Sequence, residues 1–196
     1  MMADEFSSLF RQIAANMTSV ADSSYPASIA RAVDLLSDTF HAGGKLLIFG
    51  NGGSSADAQH FAAELVGRFA AERRALPAIA LTTNQALLTA WSNDHTFDDV
   101  FARQIDALGS PGDVAFGIST SGASANVLKA LERARARRLQ TIGLTGANGG
   151  AMAALCDVVL AVPQTTTARI QEVHLVTYHA ICAAVEARLA AGAASR

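Results

Sequence analysis

The chain has 196 residues, 51% of them hydrophobic and 16% charged, with a net charge of −2 and a pI near 6.2. That length buries a full core within one domain, the charge carries no basic footprint for nucleic acid, and the few aromatics are not interleaved with Lys or Arg as in single-strand binders. No apolar run approaches the roughly 20 residues that span a bilayer, "MMADEFSSLF" lacks a signal-peptide core, and two cysteines make no disulfide framework, so the expectation is a cytoplasmic protein without membrane or nucleic-acid partners, with Cys156 and Cys182 as buried free thiols.

Residues 4–20 read as a helix, with Phe6, Leu9, Phe10, Ile13 and Met17 near helical spacing. Ser24 is placed to cap a second helix that begins at Pro26 and runs to about His41, with Ile29, Val33, Leu36 and Phe40 on its apolar face. "KLLIF" (45–49) is a short continuous apolar run, the mark of a strand buried on both faces. Similar strands follow at 78–81, 114–118, 141–145 and 157–162. Between and after them lie helical stretches at 54–70, 84–91, 97–108, 123–138, 149–155 and 167–191, with "AGAASR" expected to fray. Strands alternating with helices predict an α/β fold: a five-stranded parallel sheet covered on both sides, in a single domain over 1–196. Ligands of such sheets bind at the carboxyl ends of the strands. The loops to inspect are therefore 50–55, 82–84, 119–124 and 145–150.

"GNGGSS" (50–55) is neither a dinucleotide fingerprint, because Ser55 stands where the third glycine would be, nor a Walker A loop, because no G-K-[ST] follows. "ISTSGASAN" (118–126) follows a strand and opens a helix. It offers the hydroxyls of Ser119, Thr120, Ser121 and Ser124 and the N–H groups of a helix N-terminus, which together suit a phosphate. Gly122 lets that loop turn closely. The "GNGGSSAD" turn is equivalent in position. Gly52 and Gly53 would admit a ligand, while Ser54 or Ser55 serves either that ligand or as a helix cap.

The next helix carries His60, Glu64 and Arg68 at i, i+4 and i+8, hence on one face. The stripe is either a solvated row with a Glu64–Arg68 ion pair or part of a site. Gln171 and His179 form a second polar set on the mostly apolar final helix. Of the remaining histidines, His41 is expected to meet the end of its helix dipole, His95 to lie in a surface turn or near the site, and His174 to face the pocket or a neighbouring helix.

"GNGGSSADAQHFAAEL", "ISTSGASAN", "LTGANGG" and "RIQEVH" together resemble the phosphoheptose isomerases of the sugar isomerase (SIS) domain superfamily, over about residues 30–190. The resemblance implies a three-layer α-β-α sandwich, with N-terminal helices over 1–44 used in oligomerisation and a core over 45–191. It implies a homotetramer with active sites at subunit interfaces, and one zinc ion per site. It implies the conversion of sedoheptulose 7-phosphate, a phosphorylated seven-carbon sugar, to D-glycero-D-manno-heptose 7-phosphate, the first step toward ADP-heptose for lipopolysaccharide. By matching position, Glu64 resembles the general base and His179 its acid/base partner, and His60, Glu64, Gln171 and His179 resemble the zinc ligands. Asn51, Gly52, Gly53, Asn93, Asp94, Ser119, Thr120, Ser121 and Ser124 resemble the substrate-binding set, to which Ser54, Ser55, Glu64, Arg68 and Gln171 are added as candidates. Asn93 and Asp94 rest on the resemblance alone, since "SNDH" reads as a polar turn. Ala168 stands where many of these isomerases carry an acidic residue, and Trp91 is larger than the usual residue there. A non-enzymatic relative that binds the bacterial replication initiator protein lacks the equivalents of Glu64 and His179; their presence favours an enzyme over such an adaptor or a sugar-phosphate sensor.

Aldose–ketose isomerisation needs a base near carbon, a donor near the oxygens and shelter from water. A carboxylate on an Ala/Phe/Leu-rich helix and a histidine fit those roles, and zinc offers Lewis-acid help. A zinc-bound Glu64 would have to serve as base and ligand in turn. Gln171 and His179 are separated by about 12 Å along a helix axis, which predicts that they serve different copies of a site shared between subunits, with Glu64 meeting an imidazole from an adjoining protomer.

Overall fold

The computed structural model describes residues 2–194, with side chains through residue 190. The apolar runs form β1 (Leu46–Gly50), β2 (Ala78–Ala80), β3 (Val114–Ser119), β4 (Gln140–Thr145) and β5 (Val158–Ala161). All pair in parallel, in the order β2-β1-β3-β4-β5. Ile48 lies beside Ala80 and Phe116, Phe116 beside Ile142, and Leu144 beside Leu160.

β1 and β3 are buried along their full length because alternate side chains enter two different cores. On one face Leu46, Ile48, Phe116, Ile118 and Leu144 pack with Leu36 and Phe40 of α2 (Tyr25–His41), Phe61 and Leu65 of α3 (Gly53–Val66), and Tyr178 and Ile181 of α7 (Thr167–Ala194). On the other, Leu47 and Phe49 pack with Leu88 and Trp91 of α4 (Gln85–Asp94), Phe101 and Ile105 of α5 (Val100–Leu108), and Val127 and Leu131 of α6 (Ala125–Ala136). The result is the expected three-layer sandwich. The chain leaves β1 for the edge strand β2, then returns to β3 on the opposite side of β1. The carboxyl ends of β1 and β3 are therefore the switch point at which open α/β sheets take their ligands.

Element ends depart from the sequence expectations in instructive ways. The first helix, α1, spans Met2–Ala21, and of its side chains only Val20 is buried. Ser24 occupies the N-cap of α2 without using its side chain; the Tyr25 N–H donates instead to Ser23 Oγ at 3.1 Å. α3 starts at Gly53, so neither Ser54 nor Ser55 caps it, and it stops at Gly67 rather than 70. α4 runs through Asn93 and Asp94, which form its last turn instead of a polar loop. Residues 97–108 divide into a 3₁₀ turn (Phe97–Asp99) and α5, and the short segment near 150 is also 3₁₀ (Gly150–Leu155). α7 continues to Ala194 where fraying was expected, and the last two residues of "AGAASR" lie outside the described residues. Cys182 is buried, but Cys156 only partly so; both are free, and burial pushes both thiols up to about 12.

Candidate active site

Two groups of side chains stand out: a cleft that meets the starts of α3 and α7, and a cluster further along those two helices. The first surrounds the switch point. Asn51, Ser54, Ser119, Thr120, Ser121, Ser124, Thr167 and Gln171 line a cleft of about 200 Å³. The Ser119 hydroxyl lies 2.9 Å from that of Ser124 and 3.3 Å from that of Ser121, and Ser121 Oγ accepts from the Ala123 N–H at 3.2 Å. Ser124 is the N-cap of α6, so the hydroxyls converge where that helix presents its positive end.

Three features fix the shape of this cleft. Gly122 has φ +62°, and a Cβ there would sit 2.3 Å from the Gly149 carbonyl oxygen. A Cβ on Gly53 would sit 2.4 Å from Gln171 Nε2, so the absent side chain is what admits the Gln171 amide. Asn51 and Asn126 exchange amide hydrogen bonds at 2.8 and 2.9 Å, tying the β1 loop to the start of α6. Sequence reasoning missed Asn126 and Thr167. The asparagine stands inside "ISTSGASAN", and its signal was a second side-chain amide at a strand-to-helix turn, like Asn51. Ser55 does not line the cleft; its carbonyl accepts from Thr82 Oγ1. Asn93 and Asp94 are exposed and bonded to each other at 3.0 Å, away from the lining of this cleft.

The second group lies about two turns further along each helix. His60 Nε2 is 3.0 Å from Glu64 Oε1. One ligand atom from each of His60, Glu64 and His179 falls within 4.8 Å of the others. The rings of His60 and His179 meet edge-on at 5.0 Å, and Phe69 closes against His179 at 5.4 Å. His179 Nε2 is buried with no hydrogen-bond partner, as befits a nitrogen whose partner is a ligand rather than the protein. Two imidazoles and a carboxylate are an N/O donor set that suits zinc.

This cluster corrects the expectation of a pair shared between protomers: Glu64 and His179 come from one chain. Gln171 lies at the serine cleft, with its amide against Gly53. Arg68 is also corrected. Past the end of α3 it leaves the stripe, pairs with Glu72 at 3.0 Å and is more than half exposed. The carbonyls of Glu64 and Leu65 are served instead by Arg73, at 2.8 Å each. Arg73 in turn pairs with Glu186 of α7 at 3.1 Å.

The other histidines are structural. His41 Nδ1 meets the Ser37 carbonyl at 2.8 Å, as the helix dipole led us to expect. His95 ends α4 and stacks on Trp91 at 4.0 Å, with the Arg103 guanidinium 4.6 Å from the same indole. His174 faces neither pocket nor helix. It is fully buried and donates through Nε2 to the Thr145 carbonyl of β4 at 3.3 Å.

Comparison with known proteins agrees with this architecture. The SIS domain family model matches residues 9–146. A phosphoheptose isomerase of Synechocystis sp. is 58% identical over 168 residues, covering 86% of this chain and 87% of that protein. The solved phosphoheptose isomerase from Neisseria gonorrhoeae superposes with a TM-score of 0.88 at 41% identity, over 95% of this chain and all of that one. Its counterpart from Francisella tularensis gives 0.89 at 38% identity, over 94% of this chain and 98% of that one.

Proposed function

The chain belongs to the SIS-domain family and to the phosphoheptose isomerase enzymes within it, and from that premise we propose that it converts sedoheptulose 7-phosphate to D-glycero-D-manno-heptose 7-phosphate. The observation that carries this reading is the position of the His60/Glu64/His179 cluster on α3 and α7, about two turns beyond the hydroxyl-lined cleft at the starts of those helices. An open-chain sugar phosphate spans such a distance, with its ester in the cleft and its carbonyl end at the cluster.

The serine hydroxyls and the N-terminus of α6 bind the phosphate dianion without a cationic side chain. The Gln171 amide and the Asn51–Asn126 pair orient the chain of hydroxyls that follows. Glu64 removes the proton from C1 of the ketose, and the enediol is reprotonated at C2 from the same carboxyl. With no metal on its unpartnered Nε2, His179 carries the oxygen-bound proton between O1 and O2. Phe69 and the apolar flank of α3 exclude water from that exchange. His60, Glu64 and His179 are the residues that would hold zinc; Gln171, whose amide sits in the serine cleft against Gly53, stands apart from them. When bound, zinc polarises the carbonyl and diol oxygens as a Lewis acid.

The same reading extends to a cytoplasmic homotetramer with sites near its subunit boundaries, acting on the route to ADP-heptose and lipopolysaccharide. Among the described residues no helix is long and apolar enough to cross a membrane. The test is incubation with sedoheptulose 7-phosphate, zinc supplied, with product followed by NMR. Turnover supports the proposal; binding without turnover would leave the adaptor or sensor roles instead. The Glu64→Gln variant should still bind the substrate while kcat falls by roughly 10²–10⁴-fold, the usual contribution of a positioned base.

A further inference from the structure

The "LTGANGG" run, residues 144–150, lines neither the serine cleft nor the cluster, yet its glycines pack against the loop that carries the serines. A Cβ on Gly146 would sit 2.6 Å from the Thr120 carbonyl oxygen and 2.7 Å from Ile170 Cδ1. One on Gly150, which has φ +55°, would sit 2.6 Å from the Gly122 carbonyl oxygen and 2.7 Å from that of Ser121. Neither position has room for a side chain.

This close approach lets backbone groups bond. Just past the β3–β4 ladder, the Gly146 N–H donates to the Thr120 carbonyl at 3.1 Å. The Met152 N–H, in the 3₁₀ segment that follows, donates to the Gly122 carbonyl at 3.1 Å. The Ala147 N–H donates to the Gln164 carbonyl at 3.2 Å, in the stretch that leads to Thr167 and Gln171. The run thus ties the serine loop to the start of α7, and both of these line the cleft.

These bonds set which way the peptide groups face. A trans peptide is planar, so its C=O and N–H point in opposite directions. With the Thr120 carbonyl drawn toward the end of β4, the Ser121 N–H faces β1, where Asn51 and Ser54 line the cleft. With the Gly122 carbonyl drawn to Met152, the Ala123 N–H reaches Ser121 Oγ at 3.2 Å. Carbonyl oxygens turned into the cleft would repel a phosphate dianion, whereas N–H groups attract it.

We propose that Gly146 and Gly150 are positioning residues for the phosphate ester. By admitting the run behind the serine loop, they hold its carbonyls away from the ligand and its N–H groups toward it. The inference rests on the phosphate reading of the cleft, and its test separates the two. Gly146→Ala and Gly150→Ala each push the serine loop from behind, at different carbonyls. Asn148→Ala, at an exposed neighbour in the same run, is the control.

Two measurements are made on the wild type and all three variants: binding of inorganic phosphate by titration calorimetry, and kcat and KM with sedoheptulose 7-phosphate, zinc supplied. Both glycine variants should bind phosphate about 10–100-fold more weakly, the cost of one lost hydrogen bond to a charged group. Their KM should rise by a similar factor with kcat held within about threefold, and Asn148→Ala should match the wild type. A lower kcat with KM and phosphate affinity unchanged is the mark of mere destabilisation and would overturn the proposal. Where a glycine variant fails to fold, amide NMR on the wild type decides. The Gly146 and Met152 amides should exchange slowly with solvent, and the Ser121 amide should shift when phosphate is added. Free exchange at the first two, or an unmoved Ser121 in a protein that binds phosphate, would also overturn it. A wild type that binds no phosphate would remove the cleft reading and the proposal with it. One that binds phosphate without turnover would remove only the isomerase, and phosphate affinity would still decide the role of the two glycines.

Discussion

His174 shows what burial does to a side chain whose sequence neighbours say little about it. It sits one turn after Gln171, and from the sequence alone it was as well suited to the pocket as to a helix contact. The fold seals it against β4 with Nε2 on the Thr145 carbonyl and Nδ1 without a partner. Burial lowers its pKa from 6.5 to about 4, against the opposing effect of that hydrogen bond. The unfolded chain thus takes up a proton near pH 6.5 that the native protein refuses until about pH 4. Stability from this group is complete above the unfolded value and is lost as pH falls from 6.5 toward 4, by up to about 3 kcal/mol. Urea unfolding at pH 7, 5.5 and 4.5 should show that decline, and a His174→Gln variant should show a flatter one. The residues of the serine cleft were legible in advance because hydroxyls at a strand-to-helix turn have a local reason to be there. Asn126 and Thr167 were not, because their roles depend on what lies across from them.

α3 and α7 carry every group of the cluster, so what holds these two helices in register matters more than either alone. The Glu186 carboxylate on α7 accepts from the N–H groups of Phe69, Ala70 and Ala71 at 3.1, 3.0 and 2.5 Å. It also pairs with Arg73, whose guanidinium caps the last carbonyls of α3. Burial pushes the Glu186 carboxyl up, but the N–H groups of residues 69–71 and the Arg73 charge outweigh it and hold the group below the usual carboxylate range. Its contribution is therefore present above the ordinary carboxylate pKa and is lost as pH falls through the depressed native value. Glu186→Ala strands a buried guanidinium and should cost about 3–5 kcal/mol, read as a lowered unfolding midpoint. Because Phe69 rests on His179, the same variant should also lose turnover beyond what its stability explains at a temperature where it remains folded. This clamp was illegible in sequence, where an extended helix made Glu64–Arg68 the obvious pair. The i+8 spacing holds only while the helix does, and α3 ends at Gly67. Strands were easier to place than helix ends, since a run buried on two faces must be apolar throughout, whereas α4 passes through Asn93 and Asp94 with no glycine or proline to mark where it stops.

α1 poses a question that the single chain does not answer. Phe6, Leu9 and Phe10 are 56%, 39% and 69% exposed, although their spacing is that of a buried helix face. The stripe begins at Val20 and Met17, which pack into the core, and then runs outward along the helix until nothing of its own fold covers it. A contiguous apolar strip of that kind marks an interaction surface. The sequence pattern made the stripe legible but gave no partner. A second copy of the chain is the occupant consistent with the tetramer proposed above, and the family resemblance places contacts between subunits on the N-terminal helices. Replacing Phe6 and Phe10 together with serine removes two aromatic side chains from that surface and, because both are exposed, leaves the core intact. Light scattering coupled to size exclusion should show the variant shifting to smaller species with its far-ultraviolet circular dichroism unchanged. If the sites lie near subunit boundaries, turnover should fall with the assembly and recover as protein concentration is raised. A variant that elutes at the wild-type mass would show that α1 is not the contact, and the boundary would have to be sought on another face.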